Sequence, residues 1–159
     1  MRKFTSILLL ICTLIFTSCG KTEYIYCELT LPLSEDFYID EPTDVYDAVF
    51  SNGEAAVAVV RITFSAAYAD GIPDTYSPRA FAEFYKLNNG QSDIELKTKG
   101  DVPYYTYTLK DGANEFYLMQ TFYRSKYAYL IVTYMCPIAA KVSYHMQFLN
   151  FATGAYFTG

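Results

Sequence analysis

Histidine is nearly missing from the 159-residue chain, in which His145 is the only one. The sequence also lacks a GxSxG nucleophile elbow, a Gly-rich phosphate loop, an HExxH metal motif and a CxxC pair. A general base needs an oriented partner. His145 lies next to Met146 on a predicted helix, which favours a surface or hydrogen-bonded histidine. Composition leaves Ser-His-Asp chemistry open, but we expect no enzyme and no catalytic residue.

The chain also lacks an apolar run long enough to span a bilayer. Apolar residues dominate positions 4–16, well short of the roughly 20 residues that a transmembrane helix needs. Arg2 and Lys3 precede this run and small residues follow it, which is the pattern of a secretory signal peptide. We interpret residues 1–18 as an export signal. A buried amphipathic helix is disfavoured because the run carries no charge on any face.

The residues Phe16-Thr17-Ser18-Cys19 resemble the lipobox of bacterial lipoproteins. In that family the cysteine thiol receives a diacylglyceryl group, and cleavage makes it the first residue of the mature chain. The resemblance implies acylation at Cys19, with fatty acids such as palmitate, since two or three acyl chains anchor a protein stably. It implies the cell envelope, at the outer face of the cytoplasmic membrane or at the outer membrane. Phe16 replaces the usual leucine, so an ordinary signal peptide is the alternative.

No cluster of lysine and arginine residues occurs in the sequence. The full chain has 12 basic and 17 acidic residues. Loss of Arg2 and Lys3 with the signal peptide leaves ten basic residues against 17 acidic ones, a net charge of about −7. An acidic domain repels phosphate backbones and anionic lipid surfaces. We therefore expect no nucleic-acid partner.

Strand-forming residues dominate the chain after the signal, and turn residues divide it. A first strand is predicted over 24–31. Asn52-Gly53 lies between two apolar runs and predicts a hairpin with a type I′ turn, in which both residues have positive φ. Later strands are predicted as an antiparallel meander over 92–99, 103–110, 115–124 and 127–136.

Two helices are predicted, one before this meander in the sequence and one after it. The first follows Ser77, a capping residue that precedes a proline. The second begins at Pro137, and its apolar stripe is predicted to contain Ile138, Val142, Met146 and Leu149. A short last strand is predicted in "GAYFT".

This order of elements resembles the PsbP-like and DcrB-like domains, which are three-layer α/β/α sandwiches. The segment "LTLPLSEDFYI" is similar to their early strand and proline-marked turn. The resemblance implies an α+β fold with an antiparallel sheet of about six to eight strands and two main helices. The domain would span residues 24–159, after a signal at 1–18 and a lipidated tether at 19–23. Family members are commonly exported or lipid-anchored accessory proteins, and they supply no catalytic residue or cofactor. A plain two-layer α+β domain is the alternative.

Carboxylates gather in one early segment, but without the spacing of an EF-hand loop. A second, smaller group at Asp70 and Asp74 flanks a Gly/Pro turn. We interpret both groups as solvated connections and expect no metal ligands. The members of the first group are Glu35, Asp36, Asp40, Glu41, Asp44 and Asp47.

Tyrosine is abundant, and eight of the 17 tyrosines lie between residues 104 and 134. Their rings either pack under a helix or form a flat platform for a sugar, peptide or protein partner. Strand alternation places them on common faces in pairs. The candidate recognition surface pairs Tyr105 with Tyr107, Tyr117 with Tyr123, and Tyr127 with Tyr129.

Two cysteines remain once Cys19 is acylated and Cys12 has left with the signal peptide. Export permits a disulfide between Cys27 and Cys136, which would close a loop of about 110 residues. Buried thiols that act as small apolar side chains are the alternative.

The sequence thus predicts a lipid-anchored accessory or interaction domain with an unidentified envelope protein as its partner. A lipoprotein that binds a small ligand is the alternative, and an enzyme is the third class. A closed apolar pocket would favour the ligand binder. An open apolar patch would favour the interaction domain.

Overall fold

The computed structural model describes residues 21–26 and 28–158. These residues form ten strands: β1 (Lys21–Tyr26), β2 (Leu29–Ser34), β3 (Tyr38–Asp40), β4 (Ala48–Ser51), β5 (Ala56–Thr63), β6 (Lys97–Lys99), β7 (Val102–Asp111), β8 (Asn114–Arg124), β9 (Ala128–Pro137) and β10 (Tyr156–Phe157). They also form the helices α1 (Phe64–Ala69), α2 (Pro78–Asn88) and α3 (Lys141–Gly154), and a 3-10 helix at Ile138–Ala140. None of these helices is long and apolar enough to cross a bilayer.

Seven strands form one antiparallel sheet in the order β3-β4-β5-β9-β8-β7-β6, and β1-β2-β10 form a small antiparallel sheet. Helices α1 and α2 pack on one face of the large sheet. Helix α3 and the small sheet pack on the other face. This arrangement confirms the predicted α+β class, the antiparallel sheet and the three layers.

The core has two parts, one on each face of the large sheet. On the α3 side, Leu31 of β2 and Phe148 of α3 are fully buried. On the α2 side, Phe81 stacks on Tyr129 of β9 with ring centroids 4.2 Å apart. Strand β9 is buried along most of its length, which explains why its sequence is a nearly continuous apolar run rather than an alternating one.

The predicted strand over 24–31 is two strands in the structure. Glu28 has a φ of 72° between β1 and β2, a left-handed conformation that turns the chain. The two strands then pair with each other in an antiparallel register. Strand β1 begins at Lys21, so residues 21–23, which the sequence assigned to the tether, pair with β2.

The hairpin at Asn52-Gly53 is present, but its turn is longer than a type I′ turn. Ser51 pairs with Ala56, so four residues form the loop. The Asn52 side-chain oxygen accepts hydrogen bonds from the backbone nitrogens of Glu54, at 3.1 Å, and Ala55, at 2.7 Å. Only Gly53 in this loop has a positive φ. An asparagine side chain that binds its own loop competes with the two-residue turn.

The helices match the prediction at α2 and differ from it elsewhere. The Ser77 side chain accepts from Ala80 N at the start of α2, which confirms the predicted cap. Helix α1 was not predicted; it follows β5 directly, and the Thr63 side chain caps it. In α3 the predicted core stripe is wrong at Val142 and Met146, which are exposed. The buried stripe contains Tyr144, Phe148, Leu149, Phe151 and Ala152.

Candidate binding surface

Four of the six candidate tyrosines are buried in the core: Tyr105, Tyr117, Tyr123 and Tyr129. Tyr123 donates to the carbonyl oxygen of Ala152 at 3.0 Å, and Tyr129 donates to that of Pro73 at 2.6 Å. Burial raises the pKa of Tyr123 to about 12. These rings pack under helices, as one of the two interpretations of the sequence expected, and they present no surface to a partner.

Tyr105 belongs to a buried polar network beneath α2. Its hydroxyl is hydrogen-bonded to the side-chain oxygens of Gln91, at 2.6 Å, and Gln120. Gln120 in turn donates to Thr133 Oγ1 at 3.1 Å. Burial raises the pKa of Tyr105, so the hydroxyl stays protonated and can donate. Because each of these polar groups has a partner, the network fixes the packing of β7, β8 and β9.

The two accessible tyrosines of the set lie apart. Tyr127 is exposed in the turn between β8 and β9, where the Lys126 amine lies 5.2 Å from its ring centroid. Tyr107 is half-buried on β7 and pairs with Leu118 in the middle of β8. The structure therefore does not bring these two rings into one platform.

Another surface is open on the α2 side of the large sheet, at the end near the β4–β5 loop. Helix α2 covers β7 and β8, and α1 contacts β5, so the hairpin end of the sheet keeps partly accessible apolar side chains. Directly opposed residues in an antiparallel pair share a face. From β3 across to β8, Tyr38 is opposite Ser51, Ser51 is opposite Ala56, Ala56 is opposite Met135, and Met135 is opposite Leu118, so all five lie on this face. We call these residues and their neighbours the open sheet face: Tyr38, Ala56, Leu109, Phe116 and Met135.

A shallow cavity of about 220 Å³ adjoins the open sheet face. Its lining includes Ala56, Phe116 and Met135 together with Ser51 and Glu54. Pockets for small ligands usually have volumes of about 300–1,000 Å³ and enclose most of the ligand. This cavity is suited to a single side chain of a partner rather than to a whole ligand.

Sequence patterns indicate the open sheet face only weakly. Phe116 and Met135 occur in strands that are apolar on both faces, so alternation does not mark them, whereas Leu109 alternates with Thr108 and Lys110. Their exposure follows from the position of α2, which leaves the hairpin end of the sheet uncovered. The lengths and packing of the helices, which decide this, are not local properties of the strands.

In the acidic segment, individual carboxylates accept hydrogen bonds from different groups. Asp36 accepts from Asn52, Asp40 accepts from Ser51, and Asp47 accepts from the backbone nitrogen of Arg61. Hydrogen bonds from Ser34 and Asn52 lower the pKa of Asp36. Across residues 21–26 and 28–158, no group of three or more His, Cys, Asp or Glu side chains is placed to hold a metal ion.

Two of the three cysteines named in the predictions, Cys19 and Cys27, lie outside the described residues. The acylation of Cys19 and the Cys27–Cys136 disulfide therefore remain predictions. Cys136 is buried at the end of β9 and has no disulfide partner among the described residues. Burial and the nearby carboxylate of Glu54 raise the pKa of its reduced form to about 11, so reduced Cys136 is a thiol and not a reactive thiolate at neutral pH.

No known family model and no curated protein sequence matches the chain. Solved structures are similar to it in fold. A crystal structure of a Bacteroides thetaiotaomicron protein gives a TM-score of 0.58 at 9% identity, over 88% of this chain and 49% of that one. The chain thus spans about half the length of that protein.

Two further structures are similar over nearly their whole lengths. The Ran-binding protein Mog1p of Saccharomyces cerevisiae gives a TM-score of 0.54 at 12% identity, over 88% of this chain and 96% of that one. Cyanobacterial PsbP from Synechocystis gives 0.47 at 13% identity, over 87% of this chain and 93% of that one. The likeness to the Bacteroides thetaiotaomicron protein and to Mog1p, at 9% and 12% identity, establishes the fold alone.

Proposed function

We propose that the chain is a lipid-anchored extracytoplasmic domain that binds another protein and has no catalytic activity. The observation that carries this proposal is the open sheet face, an apolar surface on an otherwise well-covered sheet. Exposed apolar patches on soluble domains commonly mark interaction sites. Aromatic residues and methionine, such as Phe116 and Met135 here, are enriched in protein interfaces.

The cavity beside this surface favours a protein partner over a small ligand. A cavity of about 220 Å³ is of a size for one aromatic side chain, and aromatic anchors such as tyrosine are enriched among the residues that dominate binding energies in interfaces. Mog1p, which has the same fold, is a Ran-binding protein. We do not carry Ran over to this chain, because the likeness is one of fold.

Anchoring is the second part of the proposal, and it rests on the lipobox-like segment that ends at Cys19. It assigns the protein to the bacterial cell envelope, at the outer face of the cytoplasmic membrane or at the outer membrane. Strand β1 begins at Lys21, two residues after Cys19 in the sequence. An acylated Cys19 would hold the domain directly against its membrane.

The binding surface is tested by affinity capture from cross-linked cells, with the tagged full chain and two variants. Met135→Glu places a charge in the open sheet face, and Tyr68→Glu places one on α1, where Tyr68 is 78% exposed. We expect one envelope protein to be captured by the parent and by Tyr68→Glu. Its recovery with Met135→Glu should fall about tenfold or more, which corresponds to about 1.4 kcal/mol of binding free energy.

Equal capture of that protein by Met135→Glu would contradict the proposed surface. A thermal unfolding midpoint close to that of the parent is required of each variant, so that loss of capture is not loss of folding. Recovery of a tightly bound small molecule from the parent, and of no protein, would favour the ligand-binding alternative.

A further inference from the structure

Large apolar side chains are exposed on the layer that α3 and the small sheet form. Val142 is 90% exposed, and Met146 lies one turn further along the same side of α3. On the small sheet, Ile25 of β1 and Tyr156 of β10 are exposed. We call these four residues the outer α3 surface: Ile25, Val142, Met146 and Tyr156.

The four side chains all point away from the large sheet. Ile25 and Tyr156 both pair with Thr30 and therefore point to the same face of the small sheet. The neighbouring positions of β2, such as Leu31, point the other way into the core. On α3, Tyr144 and Phe148 are buried against the large sheet. Val142 and Met146 lie on the opposite side, away from the large sheet.

The chain enters the domain in this same layer. Lys21, the first residue of β1, pairs with Ser34. Ser34 Oγ accepts a hydrogen bond of 3.1 Å from Gln147 Nε2, so β1 begins beside the middle of α3. Cys19 is two residues before Lys21, and two extended residues span at most about 7 Å. An acyl chain on Cys19 would thus enter the bilayer close to α3.

We propose that the outer α3 surface lies on the bilayer that carries the anchor. This inference rests on the proposed acylation of Cys19. Val142 and Met146 would enter the interfacial region, as the apolar side of an interfacial helix does, and the Tyr156 ring suits the headgroup level. Glu35 and Asp36, exposed in the turn after β2, disfavour anionic headgroups, so a zwitterionic phosphatidylcholine surface is the suitable probe. The open sheet face, on the far side of the large sheet, would stay accessible to a partner.

The chain contains no tryptophan, so a single introduced tryptophan reports on its own surroundings. We would purify the acylated full chain carrying Val142→Trp and reconstitute it on phosphatidylcholine vesicles with and without bromine-labelled acyl chains. Tyr68→Trp is the matched control, because Tyr68 is also highly exposed but lies on α1, on the other side of the large sheet. Flotation with the vesicles measures anchoring separately.

We expect both variants to float with the vesicles. Fluorescence of Val142→Trp should shift to the blue and be quenched by brominated chains, and that of Tyr68→Trp should do neither. A vesicle-bound Val142→Trp protein without quenching, or equal quenching of both variants, would overturn the docking. Failure of the parent chain to float would instead overturn the proposed anchoring, and the docking would fall with it.

Discussion

At the scale of single residues, the Tyr117–His145 pair connects the large sheet to α3. The Tyr117 hydroxyl lies 2.6 Å from His145 Nδ1, and the Lys141 amine lies 5.2 Å from the Tyr117 ring centroid. Burial lowers the pKa of His145, and the charges of Lys141 and Lys97 add to this effect. The Nδ1 atom of a neutral imidazole can accept a hydrogen bond from the Tyr117 hydroxyl, so we assign His145 a structural role in this pair.

The pair predicts a pH dependence of stability. Because the folded state has the lower His145 pKa, the unfolded state takes up a proton first as the pH falls. Stability should be complete above the unfolded pKa of about 6.5 and should decrease as the pH falls below it. Urea denaturation midpoints between pH 7.5 and pH 5 measure this slope. Carboxylates such as Asp36, whose pKa is lowered, contribute only at more acidic pH.

His145→Gln is the matched variant, since an amide oxygen can accept from Tyr117 and does not titrate. Its urea midpoint should change less than that of the parent over the same pH range. Identical slopes for the two proteins would mean that other groups cause the pH dependence.

The tyrosines mark the limit of what single residues in the sequence could predict. Alternation correctly placed Tyr105 with Tyr107, and Tyr117 with Tyr123, on common faces. It could not tell a buried face from an open one, because helices cover both sides of this sheet and its central strands are rich in apolar residues on both faces. Strand alternation does not apply to Tyr127, because this residue lies in a turn.

At the scale of elements, α2 was predictable and α3 was only half predictable. Ser77 and Pro78 fix where α2 begins, and both are local signals. Helix α3 is apolar on two sides, so a stripe through Val142 and Met146 and a stripe through Tyr144 and Phe148 fit the sequence equally. Tertiary contacts decide between them: the Tyr144 hydroxyl is 3.0 Å from the Glu54 carboxylate in the β4–β5 loop.

Helix α2 is tied to the following loop by one buried cation. Lys86 Nζ donates to the carbonyl oxygen of Ile94 at 2.9 Å and lies 3.0 Å from a carboxylate oxygen of Glu83. Lys86→Met would keep the apolar stem but leave the Ile94 carbonyl without this donor. A hydrogen bond to a charged group contributes about 1.5–3 kcal/mol, and we expect a loss of that size in the free energy of unfolding.

Lys99→Met is the control for this loss, because Lys99 is exposed on β6. Exposed substitutions usually change stability by less than about 0.5 kcal/mol. Denaturant unfolding compares the three proteins, and equal stability of Lys86→Met and the parent would show that the buried amine adds nothing.

At the scale of the whole molecule, the three layers separate two surfaces. The outer α3 surface and the start of β1 belong to one outer layer, and the open sheet face looks out on the opposite side of the large sheet. A short tether would therefore direct one side to the bilayer and the other to a partner. Sequence patterns predicted the layers, but not which side chains each layer leaves exposed, because that depends on how far each helix extends over the sheet.

The proposed function depends most on the acylation of Cys19, which radiolabelled fatty-acid incorporation in the bacterial host measures directly. The full chain should take up label, Cys19→Ala should take up none, and Cys12→Ala should be labelled like the parent because Cys12 leaves with the signal peptide. Equal labelling of Cys19→Ala and the parent, or no label in the parent, would contradict a lipid-anchored interaction domain.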